Sequence, residues 1–125
     1  MKALLINGSP RPRGCTYTAL TELKKTLEAE GVEVELIHVG HQNIRGCIAC
    51  GKCHEQGRCV FDDAVNEIAP KLAEADAFVI GAPVYFASPA GGAISFMDRL
   101  FYSTFGMDKT MKVGAAVVTC RRGGN

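Results

Sequence analysis

Four cysteines crowd one short segment: Cys47, Cys50, Cys53 and Cys59, spaced C-x2-C-x2-C-x5-C. Thiolates at such short intervals can reach one centre from a tight loop. Four of them suit a [4Fe–4S] cube or a tetrahedral zinc ion. Gly46, Gly51 and Gly57 would let the backbone wrap closely around that centre. The run differs from the ferredoxin pattern, in which the fourth cysteine follows after three residues, precedes proline and can serve a second cluster. Here Val60 follows Cys59, so one local centre is the simpler arrangement. Free thiols without a metal are the third reading. Cys15 and Cys120 stand apart, Cys120 expected in the core; His38 and His41 carry no obvious partner, and His54 reads as a surface loop histidine, with metal ligation as its alternative.

A second group of polar residues lies near the start of the chain. Asn7-Gly8-Ser9-Pro10-Arg11-Pro12-Arg13-Gly14 is rich in turn formers and continues neither strand nor helix. It follows the apolar run Ala3-Leu4-Leu5-Ile6. From about Thr16 the pattern becomes helical, with Ala19, Leu20, Leu23 and Leu27 on one face. Strand, polar loop and helix start make an anion site, because the first turn of a helix has unpaired N–H groups and a favourable dipole. The loop has neither the Gly-Lys-[Ser/Thr] of a nucleoside triphosphate loop nor the glycine fingerprint of a dinucleotide loop. Its hydroxyls and its arginines, Arg11 and Arg13, suit a single terminal phosphate, hence a mononucleotide.

These groups need a scaffold. Ala3–Ile6, Ala77–Ile80 and Val113–Thr119 read as buried strands, and Val32–Val39 as a strand with one polar face, suited to an edge. Between them lie three helical patterns. The first starts near Thr16. The second runs from an Asp62 cap to about Ala75, with Pro70 awkward inside it. The third follows a Ser88-Pro89 start to about Tyr102. Residues 40–61 read as a functional loop. Alternating strands and helices imply a doubly wound parallel sheet in three α/β/α layers, forming one domain over 1–125 with a cysteine-rich insert at 46–60. Ligands bind such sheets off the carboxyl ends of the strands, where strand order reverses. Three loops leave those ends: Gly8–Cys15, Ala82–Ser88 and Cys120–Asn125.

Composition narrows the classes. The chain has 125 residues, 47% of them hydrophobic and 22% charged, with a net charge of +1. Nothing basic enough for nucleic acid is present, and no apolar run approaches the ~20 residues of a membrane span. The chain enters a strand at once after Met1, so no signal peptide is expected and the cytoplasm is the expected location. Cysteines are reduced there, which favours metal or redox chemistry over disulfides.

The motifs Ile6-Asn7-Gly8-Ser9-Pro10-Arg11, Gly14-Cys15-Thr16, Gly81-Ala82-Pro83-Val84-Tyr85 and Phe96-Met97-Asp98-Arg99 occur in this order. Together they resemble the flavodoxin-like NADPH-dependent FMN reductase family, over essentially the whole chain. The cysteine run resembles that of the iron–sulfur flavoproteins within that family. The resemblance implies a sheet of order 2-1-3-4 and an FMN site. Ser9, Arg11, Thr16 and Thr18 would hold the phosphate, with Cys15 and Tyr17 in the same cofactor-binding stretch. Pro83, Val84, Tyr85 and Phe86 would line the isoalloxazine ring. Thr119 and the segment 121–125, including Arg121, Gly123 and Gly124, would close the other side. Cys47, Cys50, Cys53 and Cys59 would hold the cluster, and Asp98-Arg99 would lie on a helix between subunits. The resemblance implies a further strand and helix after the fourth strand, and the fifth strand is expected to be absent from the sequence given, which ends at Asn125.

No Ser/His/Asp or Cys/His arrangement is visible, and no paired carboxylates share a loop, so no catalytic acid or base is expected. The cofactor would carry the redox chemistry. The expected activity is that of an oxidoreductase that reduces FMN with NAD(P)H or a donor protein and passes electrons on, through a [4Fe–4S] cluster if one is bound. A cluster-free FMN or quinone reductase is the alternative, and a non-catalytic metal- or nucleotide-binding module is the alternative from another class. Expected partners are small-molecule or protein electron donors and acceptors and further copies of the chain, as a homodimer or homotetramer, without nucleic acid or membrane.

Overall fold

The computed structural model describes residues 1–123. The elements alternate as expected: β1 (Lys2–Asn7), α1 (Cys15–Ala29), β2 (Glu33–His38), α2 (Cys53–Gln56), α3 (Ala64–Glu74), β3 (Ala77–Pro83), α4 (Gly91–Ser103) and β4 (Val113–Thr119). The four strands form one parallel sheet in the order β2-β1-β3-β4. The order reverses between β1 and β3, so the loops after these strands border one crevice.

The apolar runs divide by alternation. Leu4 and Ile6 of β1 face a core with Val65, Ile68, Leu72, Phe96 and Leu100 of α3 and α4. Ala3 and Leu5 face the opposite core, with Leu20 of α1 and Val79 of β3. Burial on both faces is why β1 reads as a continuous apolar run. Glu35 on β2 is partnered by Lys71 of α3, which explains a charge inside an apolar strand.

Several expectations are corrected. The capping residue of α3 is Asp63, not Asp62: Asp63 Oδ1 accepts from the Val65 N–H at 3.1 Å, while Asp62 pairs with Arg58 at 2.5 Å. Pro70 leaves α3 unbroken. It lies on the exposed face, where a carbonyl deprived of its helical donor can turn to water. The third long helix is capped by Ala90 rather than Ser88. Ser88 and Pro89 are used in a tight return of the chain, in which the Tyr85 N–H donates to the Ser88 carbonyl and Val84 bridges Pro89. Residues 40–61 contain the single-turn helix α2. β4 is not buried: among the described residues it is paired only to β3, and Val113 and Val118 are 58% and 44% exposed. Cys120, just beyond it, is exposed rather than in the core. None of the described helices is long and apolar enough to cross a membrane.

Candidate flavin cleft and cysteine pocket

The loop after β1 is folded by its own side chains. Asn7, fully buried, accepts the Ser9 N–H on Oδ1 at 3.1 Å, and Ser9 Oγ accepts the Arg11 N–H at 3.2 Å. The Ser9 carbonyl is 2.7 Å from His38 Nε2, which gives His38 a partner its sequence position did not reveal. Gly40 backs the same loop so closely that a Cβ there would lie 2.2 Å from the Ser9 carbonyl oxygen. Gly8 is held against β3 by an N–H donated to the Gly81 carbonyl at 2.8 Å.

This loop delivers the chain to the N-terminus of α1. Gly14 occupies the cap position and supplies no side-chain acceptor, and no acidic residue stands in the first turn. The first N–H groups are therefore without a side-chain cap and the dipole is unopposed, as an anion requires. An open cleft of about 470 Å³ lies here, lined by Ser9, Arg11, Gly14, Cys15, Thr16, Pro83, Val84, Tyr85, Thr119, Cys120 and Arg121. All three strand-end loops contribute. Thr16 is buried and its hydroxyl shares a 2.8 Å hydrogen bond with that of Thr119.

The other expected cofactor residues are placed differently. Tyr17 and Thr18 lie one step along α1, and Thr18 Oγ1 donates to the Gly14 carbonyl within the helix at 3.3 Å. Phe86 is 93% exposed at the loop tip and does not line the cleft. Gly123 lies in the exposed segment after β4 and is not among the lining residues. Gly124 lies outside the described residues.

The four clustered cysteines line a second, small pocket of about 20 Å³. Cys47, Cys50, Cys53 and Cys59 line it together with Ile48, Val60, Phe61, Arg99 and Tyr102. The loop reaches this shape through left-handed backbone at Ala49 (φ 52°), Gly51 (φ 72°) and Gly57 (φ 66°). Ala49 carries a Cβ, and its left-handed backbone is the kind of local strain that gathers at functional sites. Its N–H donates to Cys47 Sγ at 3.4 Å. Asn66 on α3 grips Cys59 from both sides, accepting its N–H and donating to its carbonyl, each at 2.9 Å. Among the described residues no three His, Cys, Asp or Glu side chains converge closely enough to hold a metal ion. Four soft thiol donors on one apolar wall, with N–H groups already aimed at sulfur, fit the chemistry of a cluster.

The charged residue of this pocket comes from α4, outside the cysteine motif. Arg99 does not face outward from α4; it is 1% exposed and points into the cysteine pocket. Its Nε and Nη2 donate to Cys59 Sγ at 3.3 and 3.2 Å, and its fork meets both carboxylate oxygens of Asp63 at 2.6 and 2.9 Å. Burial pushes the guanidinium pKa down, but the bonds to Asp63 and Cys59 outweigh it and hold the group above its ordinary value. His54 is exposed and stands edge-on to Tyr102, as a surface histidine. Phe96 is core, whereas Phe101, Tyr102 and Phe105 are exposed.

A phosphate-type helix start and a flat-walled cleft at the switch point of a 2-1-3-4 sheet define a flavodoxin-like domain. The chain belongs to the NADPH-dependent FMN reductase family, whose model matches residues 1–125. It is 38% identical over 126 residues to an iron–sulfur flavoprotein of Methanocaldococcus jannaschii, covering 99% of this chain and 65% of that one. An iron–sulfur flavoprotein of Archaeoglobus fulgidus is 36% identical over 112 residues, covering 90% and 50% respectively. The chain thus spans only part of the length of these relatives. Among solved structures, an NAD(P)H:quinone oxidoreductase from Methanothermobacter marburgensis superposes with a TM-score of 0.70 at 17% identity, covering 96% of this chain and 63% of that one. An FMN-dependent NADH-azoreductase from Bacillus anthracis in complex with FMN gives 0.66 at 11%, covering 96% and 69%. These two likenesses establish the fold.

Proposed function

We propose that the protein is an FMN-dependent oxidoreductase whose flavin occupies the cleft between the loops after β1, β3 and β4. The observation that carries this reading is the uncapped N-terminus of α1, opening with Arg11 and Ser9 into a cleft walled by Pro83, Val84 and Tyr85. The first N–H groups of α1 and the Arg11 guanidinium bind the phosphate. Pro83-Val84-Tyr85 gives the ring a flat wall, with Tyr85, 62% exposed, free to cover it. Thr119 and Arg121 close the opposite side. Bound FMN supplies the step between two-electron donors such as NAD(P)H and one-electron acceptors.

Cys47, Cys50, Cys53 and Cys59 are assigned as ligands of a [4Fe–4S] cluster that accepts electrons from the flavin. The shared pocket and the names of the relatives support this assignment. The open β4 edge supports association with a second copy of the chain, because an uncharged apolar edge strand invites pairing. Heat release of the cofactor and its identification by mass test the central reading. FMN in stoichiometric yield is expected; FAD, or no binding after incubation with FMN, would sink it.

A further inference from the structure

We propose that Arg99 is the positioning residue for the fourth cysteine ligand, turning Cys59 Sγ into the pocket and giving the cluster a buried positive neighbour. The inference rests on the cluster assignment above and extends it to a residue outside the cysteine motif.

Arg99 arrives from α4, far along the chain from Cys59, and places two N–H donors on one sulfur. Its remaining donors are also engaged: Nη1 donates to the Arg45 carbonyl at 3.3 Å and Nη2 to the Phe61 carbonyl at 3.3 Å. The guanidinium lies 5.0 Å from the Phe61 ring centroid. Asp63 holds the fork from behind while capping α3. A side chain fixed at every donor cannot follow the sulfur; the sulfur must follow it. The Cys59 backbone is fixed separately by Asn66. Cys59 is therefore the most constrained of the four ligands, whereas Cys47 and Cys50 are exposed. A lysine could not do this, since its point charge lacks the planar fork. A cation donating to a ligand sulfur also favours the reduced cluster, because net charge and bonds to sulfur set the potential.

The test uses the chain reconstituted anaerobically with FMN, iron and sulfide. The variant Arg99→Met alone would strand Asp63, so it is paired with Asp63→Asn, which keeps the cap acceptor; Arg99→Lys and Asp63→Asn are made separately. Site-resolved alkylation by iodoacetamide and an EPR-monitored redox titration are the readouts. All four cysteines are expected to be protected in the wild type. In the double variant Cys59 alone loses protection, about tenfold in rate, as outer-shell losses generally cost, and the potential moves negative. Arg99→Lys falls between, and Asp63→Asn, which frees the guanidinium from its counter-charge, moves the potential positive. Equal loss of protection at all four cysteines would reduce Arg99 to a structural residue. Unchanged Cys59 protection and unchanged potential in the double variant would also overturn the proposal while leaving the cluster intact. No iron and sulfide in the reconstituted wild type would instead sink the cluster assignment, and this inference with it.

Discussion

Thr16, at the start of α1, and Thr119, at the end of β4, share a hydroxyl hydrogen bond of 2.8 Å across 103 positions of sequence. This bond ties the first cofactor loop to the third and fixes the width of the cleft between them. Gly81, on β3 between them, permits the approach, since a Cβ there would fall 2.7 Å from Thr16 Cγ2. Replacing Thr119 with valine is expected to remove one neutral hydrogen bond and lower FMN affinity by roughly 1 kcal/mol, about fivefold. Fluorescence titration of apoprotein with FMN measures this.

Of the two arginines in the loop after β1, Arg11 is the one that lines the cleft. Arg11→Ala should weaken FMN binding by roughly 1.5–3 kcal/mol, the worth of a charge-assisted bond. Riboflavin, which lacks the phosphate, should bind wild type and variant alike. Equal loss for both ligands would place the phosphate elsewhere.

Gly40 tests how tightly the loop is backed. A Cβ at this position meets the Ser9 carbonyl at 2.2 Å, so Gly40→Ala must push the loop off β2. The expected cost is roughly 1–3 kcal/mol of stability, as for other overpacked sites. FMN affinity should fall with it. Thermal unfolding with and without FMN separates the two effects, and a variant as stable as wild type with full affinity would show that the loop yields freely.

Asp63 serves two partners at once: the first turn of α3 and the Arg99 guanidinium. Asp63→Ala removes a cap worth about 1 kcal/mol and strands a buried cation, for a total loss of about 3–5 kcal/mol. Asp63→Asn keeps the cap and should lose less. Urea denaturation of both variants checks the order; equal losses would mean that the cap contributes nothing, and an undiminished stability in Asp63→Asn would mean that the ion pair contributes nothing.

Association through β4 is tested by charge. Val113→Lys and Val118→Lys place cations on the open strand, a usual device against edge pairing. Light scattering at micromolar concentration should show a homo-oligomer for the wild type and smaller species for the double variant. A monomeric wild type would contradict the proposal.

The strands and their alternation with helices were legible in the chain because they depend on local pattern, whereas the order 2-1-3-4 came from the family resemblance. Ala3–Ile6 is apolar at every position, and such a run is stable only between two helical layers, as Leu4 and Leu5 in opposite cores demonstrate. The cysteine spacing likewise announced a shared site. Other features follow from distance in space rather than in sequence. Asp63 displaced Asp62 as cap because Asp62 found Arg58, and Ser88 gave way to Ala90 because the chain needed Ser88 to close a turn. Arg99 is the clearest case. On its own helix it reads as one more charge beside Asp98, and nothing local says that it is buried. Only packing α4 against α3 brings it to Cys59 and Asp63, and a guanidinium removed from water must then spend every donor on whatever acceptors the fold has placed around it.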